Sequence, residues 1–245
     1  MNNLKTGSEN MGLNENPEVK KMNFIKRVSG VIFSPSETMK NLAEKPRVLF
    51  PIILIAVSMF LFMLVNFEMF KEFNLITIEE TMAKMNFELA PEQLAAQAEL
   101  GSKISLFTAP LVSVLTWFIG GVILFAAMKI FKGEGKLKQY LSVTGYSYVI
   151  AVLCYIVTSI VANLTGTFNM YASVTGLTSL LPQDMSGTFL YSFLSIFEVF
   201  NIWQYVVIGI GAAYVSKLDK KKVYVIMTVL FVLTGVIIGA RHLTY

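Results

Sequence analysis

The chain has 245 residues, of which 55% are hydrophobic and 15% charged, with a formal net charge of +4. Soluble domains carry roughly 25% charged residues, so a water-soluble globule of this size would lack its polar shell. One histidine, His242, excludes a multi-histidine metal site within one chain, and one cysteine, Cys154, excludes an intrachain disulfide. The charge is segregated: residues 1–47 hold eight Lys/Arg and five Asp/Glu, whereas residues 68–104 hold three Lys and seven Glu. Such segregation is the pattern of flanks around membrane segments, not of a nucleic-acid-binding face.

In chain order, residues 1–21 are polar and are expected to form a disordered cytoplasmic tail. The first long apolar stretch begins only at Val48, so no signal peptide is expected. Residues 22–47 read as cytoplasmic interfacial helices. The stretch 22–33 puts Phe24, Val28, Val31 and Ile32 on one side, with Lys26 and Arg27 nearer the other. Ser34 reads as an N-cap, Pro35 as the first helical residue and Glu37 as the partner in a capping box, while Pro46 ends the helix before the membrane.

A hydrocarbon core of about 30 Å takes roughly 20 helical residues. Five stretches meet that length, at about 48–67, 106–130, 143–164, 189–215 and 223–240. The fold class is therefore all-α, a polytopic membrane bundle of five transmembrane helices. Pro51 and Pro110 lie near the starts of their spans, where a missing backbone donor costs least. Residues 68–104 read as a helical hairpin over the outer mouth, with a second capping box at Thr77 and Glu80 and a fresh start at Pro91-Glu92. Residues 166–188, with Asp184 as the one charge, read as an irregular outer loop.

The linkers set the orientation. Residues 129–138 hold four lysines against Glu134, and residues 216–222 hold four lysines against Asp219. The positive-inside bias puts the N-terminus and both these turns in the cytoplasm. An odd number of spans then puts Arg241, His242 and Tyr245 outside. A re-entrant fourth span is the alternative.

Glu198 stands out as a carboxylate deep inside the fourth span, where it must be paired, protonated or facing water or protein. Asn201 and Tyr205 share its helical face, and Gln204 is close to it. The four read either as an intramembrane polar site for an ion, proton or solute, or as a network that fixes packing. Gly120, Gly121, Gly209, Gly211, Gly235 and Gly239 read as helix-packing positions, with homodimerisation through the patches of the last two spans as the alternative. Lys132, Lys136, Lys138, Lys220, Lys221 and Lys222 read as contacts to lipid headgroups or a partner, although positive-inside bias explains the same lysines. No phosphate-binding loop, dinucleotide fingerprint, HExxH, paired cysteines or GxSxG occurs, so neither an enzyme, a metal nor a cofactor is expected.

Four stretches carry a resemblance to a known family. They are Val31–Glu37, followed by Lys45-Pro46-Arg47 and Pro51; Phe131–Tyr140; Gly145-Tyr146-Ser147-Tyr148; and Ile202-Trp203-Gln204-Tyr205. Together they resemble the Yip domain family of five-span membrane proteins, in its bacterial-type branch. Eukaryotic members of that family interact with Rab-type GTPases in vesicle trafficking. Two departures separate this chain from them. Val149-Ile150 stands where a proline usually follows the tyrosine-serine stretch, and no long acidic cytoplasmic head is expected. GTPase binding and trafficking are therefore not carried over.

The expected function is a non-enzymatic integral membrane protein of the bacterial cytoplasmic membrane that organises or binds partners there. Its expected partners are membrane lipids and an unidentified membrane or cytoplasmic protein, and no nucleic acid. The alternative is a transporter or permease-like protein for a small solute, ion or lipid, built around Glu198.

Overall fold

The computed structural model describes residues 22–166, 168, 173–182 and 185–241. The tail 1–21, Asp184, His242 and Tyr245 lie outside the described residues.

Two short helices form a collar. Helix α1 spans Phe24–Phe33 and starts at Asn23, whose side chain accepts from the Lys26 amide at 2.8 Å. Helix α2 spans Pro35–Glu44, with Ser34 at its N-cap and Pro35 in its first turn. The Ser34 side chain makes no capping bond, so the capping box read from the sequence is not formed. Glu37 instead faces Lys26 Nζ at 3.8 Å. Arg27 also departs from its expected place on the polar side, being 1% exposed. It lies one helical turn before Val31, which is fully buried, and the same stripe carries both inward. Arg27 Nε and Nη1 have no hydrogen-bond partner among the described residues.

Helix α3 spans Leu49–Val65, with Pro51 in its first turn, and α4 spans Phe67–Lys84. The two are bent by 78° at Asn66. That residue is 2% exposed, and its amide donates to the Phe62 carbonyl at 2.7 Å and to Ser159 Oγ at 2.8 Å. The Phe62 carbonyl also accepts from the Asn66 backbone amide at 3.2 Å, so backbone and side chain of Asn66 together close the last turn of α3. The bond to Ser159 fastens the bend to the neighbouring α6, Leu137–Thr165. Thr77 sits inside α4 and donates to the Phe73 carbonyl at 2.8 Å, so it starts no helix.

Helix α5 runs from Pro91 to Ile130, 40 residues. At 1.5 Å per residue it is about 60 Å long, roughly twice the hydrocarbon thickness. Its first part pairs with α4, where Asn74 donates to Ser102 Oγ at 2.8 Å and Phe70 and Ala98 are buried. Pro110 is therefore inside a helix, not near the start of one. The helix extends N-terminally beyond the apolar run, so Pro110 removes one internal hydrogen bond in mid-helix.

After α6 the chain forms a short 3-10 turn at Leu177–Leu180, then α7 at Phe189–Leu194, α8 at Val199–Ser216 and α9 at Lys220–Ala240. The fourth apolar stretch, read as one span over 189–215, is thus broken between α7 and α8. Residues from the connection between α6 and α7 fill the break. Leu177 N donates to the Phe197 carbonyl at 3.1 Å and Val199 N to the Thr175 carbonyl at 3.4 Å, closing an antiparallel bridge between Gly176 and Glu198.

Four helices, α5, α6, α8 and α9, are each long and apolar enough to cross a membrane, and the bent pair α3–α4 raises the number to five. Apolar side chains such as Leu111 on α5 and Val225 and Ile237 on α9 point outward, as a hydrocarbon solvent permits. The main core lies where the collar meets α6, α8 and α9. Val31, Met39, Leu42, Val143, Tyr146 and Val207 are all at most 1% exposed there.

Candidate functional site

Glu198 is the N-cap of α8 and not a mid-helix residue. Its carboxylate accepts from the Phe200 amide at 3.0 Å, the Asn201 amide at 2.7 Å and the Thr175 hydroxyl. Three donors and a helix N-terminus are what a buried carboxylate needs to remain in place, and Glu198 is 6% exposed. Asn201 joins it in the break, donating from Nδ2 to the Ile196 carbonyl at 2.7 Å. Gln204 and Tyr205 do not join them. Gln204 Nε2 reaches Ser147 Oγ on α6 at 3.4 Å, and Tyr205 Oη meets Thr234 Oγ1 on α9 at 3.1 Å. The four polar residues read from the sequence therefore tie α8 to three different neighbours.

Five of the six packing glycines meet side chains of their own chain. A Cβ would come within 2.6 Å of Leu141 at Gly121, 2.9 Å of Tyr224 at Gly209 and 2.2 Å of Val143 at Gly211. At Gly235 and Gly239 it would come within 2.7 Å of Ile196 and 2.9 Å of Phe189. These surfaces are already filled by helices of the same chain. Gly120 differs: nothing lies within 4 Å of its Cβ position. Consecutive helical residues point about 100° apart, so Gly121 packs while Gly120 faces outward. Gly145 escaped the spacing argument, yet a Cβ there would lie 2.3 Å from Pro51.

The two lysine-rich turns and the collar are bonded into one face. Glu134 N donates to the Ser216 carbonyl at 2.8 Å, and Glu134 Oε2 pairs with Lys217 Nζ at 2.7 Å. Gly135, at φ +87°, lies close against Val215, and only glycine combines that backbone with that approach. Gln139 accepts from Lys136 N at 2.7 Å and donates to the Ala43 carbonyl of the collar at 2.6 Å. Ser36 of the collar bonds Tyr214 Oη of α8 at 2.8 Å. Around this frame Lys132, Lys136, Lys138, Lys220, Lys221 and Lys222 are all exposed. Lys222 Nζ also lies 5.2 Å from the centre of the Phe131 ring.

A family model described as the Yip1 domain matches residues 29–240. The chain belongs to the Yip1 domain family. The Bacillus subtilis membrane protein YknW is 27% identical to it over 202 residues, covering 82% of this chain and 84% of that protein. No solved structure matches it. This Yip1 domain protein is accordingly an integral membrane protein of the bacterial cell membrane.

The four stretches that carried the resemblance mark the joints of this Yip1 domain. Val31 fills the core and Ser36 bonds α8. Phe131–Tyr140 closes on the α8–α9 turn, where Tyr140 Oη also donates to the Glu134 carbonyl at 2.7 Å. Gly145 admits Pro51 and Ser147 receives Gln204. Trp203 and Tyr205 pack against the core. Sequence reasoning does not single out Thr175 or Thr234, and it reaches Ser147 only as part of a family stretch. All three are single hydroxyls in apolar or loop context, where spacing carries no signal of a distant partner.

Proposed function

We propose that this Yip1 domain protein is a non-enzymatic organiser of partners in the membrane, with the lysine-rich face in the cytoplasm as its docking side. The rigid joining of three chain segments into that face is the observation that supports the reading. A face whose backbone is already fixed presents its charges in one pattern, which lowers the ordering cost of binding. On the collar, Phe24, Ile25 and Phe33 are 48%, 73% and 81% exposed, adding apolar anchors beside the lysines. The positive-inside bias of the turns supports the cytoplasmic orientation. Transport through Glu198 has less support, because that carboxylate is occupied by three donors of its own chain.

The test is a quantitative in-cell crosslinking and co-purification of the full chain, with Lys132→Glu, Lys136→Glu and Lys138→Glu combined. We expect a protein partner whose recovery falls at least tenfold in the triple variant and is unchanged in Glu198→Gln. Unchanged recovery in the triple variant, or solute or proton flux in liposomes that Glu198→Gln abolishes, would overturn the proposal.

A further inference from the structure

We infer that the α8–α9 groove holds one anionic glycerophospholipid, its phosphate at the lysine-rich turn and an acyl chain against α9. Two adjoining hollows have complementary chemistry. One is a chamber of about 190 Å³ at the α8–α9 turn, lined by Ser36, Tyr214, Lys217, Leu218, Lys220 and Tyr224. The other is a groove of about 260 Å³ along the same two helices, lined by Ile202, Val206, Met227, Thr228, Phe231 and, again, Tyr224. The shared tyrosine makes them neighbours, cationic and hydroxyl-bearing at one end and apolar at the other. That is the polarity of a single lipid molecule.

The dimensions agree. From Lys220 to Phe231 the α9 axis rises about 16 Å, which is half of the ~30 Å hydrocarbon core and so the depth of one leaflet. The chamber lies at the end of the spans where headgroups lie, and its Tyr224 occupies the level that interfacial tyrosines favour. The charge also fits. Lys217 Nζ is shared with Glu134, whereas Lys220 has no ion pair among the described residues and is exposed. The Ser36 and Tyr214 hydroxyls, 2.8 Å apart, leave one donor free for a phosphate oxygen. Gly209 sets the width at the junction, since a Cβ there would strike the Tyr224 ring at 2.9 Å. The site depends on neither the protein partner nor the orientation proposed above, because the headgroup goes to the lysine-rich end whichever side that end faces.

The full chain in neutral detergent is titrated with phosphatidylglycerol, phosphatidylcholine or inorganic phosphate, and bound lipid is read by native mass spectrometry and by the shift in Tm. We expect saturable one-to-one binding of phosphatidylglycerol, at least tenfold tighter than phosphatidylcholine, and no shift with phosphate alone. Lys220→Gln should weaken binding about fivefold, the effect of one lysine beside an anionic headgroup. Thr228→Trp, at an exposed groove position, should fill the acyl path and abolish binding while Tm without lipid stays within a few degrees. Equal binding of the two lipids would overturn the cationic chamber. Phosphate binding as tight as lipid binding, or full binding by Thr228→Trp, would overturn the groove.

Discussion

Gly211→Ala will destabilise the bundle by about 3 kcal/mol, the upper end of what an inserted methyl costs in a packed core. The new Cβ would lie 2.2 Å and 2.9 Å from the two methyls of Val143 and 3.1 Å from Met39 Sδ. Val143 and Met39 are both fully buried. Valine is stiff about its first side-chain torsion, so Val143 cannot swing away, and α6 and α8 must separate instead. The collar is carried by the same junction through Met39, so the damage spreads to the lysine-rich face. Two controls isolate the cause. Gly120→Ala adds the same methyl where nothing lies within 4 Å, and should be neutral or stabilising by up to about 1 kcal/mol. Adding Val143→Ala to Gly211→Ala should recover part of the loss, a coupling measurable in a double-mutant cycle. Unfolding in detergent, followed by fluorescence, reads all of these. A Gly211→Ala protein as stable as the parent would contradict the close approach of α6 and α8.

Glu198→Ala should cost about 2–4 kcal/mol. The substitution strands the Phe200 and Asn201 amides and the Thr175 hydroxyl, all of which donate to the carboxylate. A lost N-cap costs about 1 kcal/mol, and a buried donor left unsatisfied about 1–3 kcal/mol. Glu198→Gln keeps the length and one acceptor oxygen, so it should lose no more than about half as much. Hydrogen exchange localises the effect: the Phe200 and Asn201 amides and the Leu177 amide across the bridge should lose protection first, while those of α9 keep theirs. Unchanged protection at these amides in Glu198→Ala would show that the carboxylate does not hold the break together.

The spans were legible because lipid thickness fixes helix length, and long apolar runs have no other stable home. What hydropathy could not see was the backbone inside and beyond those runs. The stretch 189–215 reads as one helix by composition, yet Thr175 and Leu177, far away in sequence, supply the backbone partners that open it at Glu198. Glu198 was conspicuous as a charge in an apolar run, but its role as a cap depends on that break, so its expected face-sharing with Tyr205 does not occur. Pro110 departs from its expected place for the opposite reason. Helix α5 continues outside the apolar run, where the hydropathy signal ends although the helix does not. Small-residue spacing found Gly235 and Gly239 because missing side chains are visible in sequence. It could not tell Gly120 from Gly121, which differ only in the direction they face. The charge of Arg27 predicts the polar side, whereas its helical stripe with Val31 decides its burial.

The proposed orientation puts the lysine-rich face, assembled from the collar and the two turns, inside the cell, with the α4–α5 hairpin outside. Single cysteines placed in a Cys154→Ser background and probed with a membrane-impermeant maleimide test it directly. Glu88→Cys, in the exposed connection between α4 and α5, should label fully in intact cells. Lys132→Cys and Lys220→Cys should label only after the membrane is opened. Labelling of Lys132→Cys in intact cells to the level of Glu88→Cys would contradict the account.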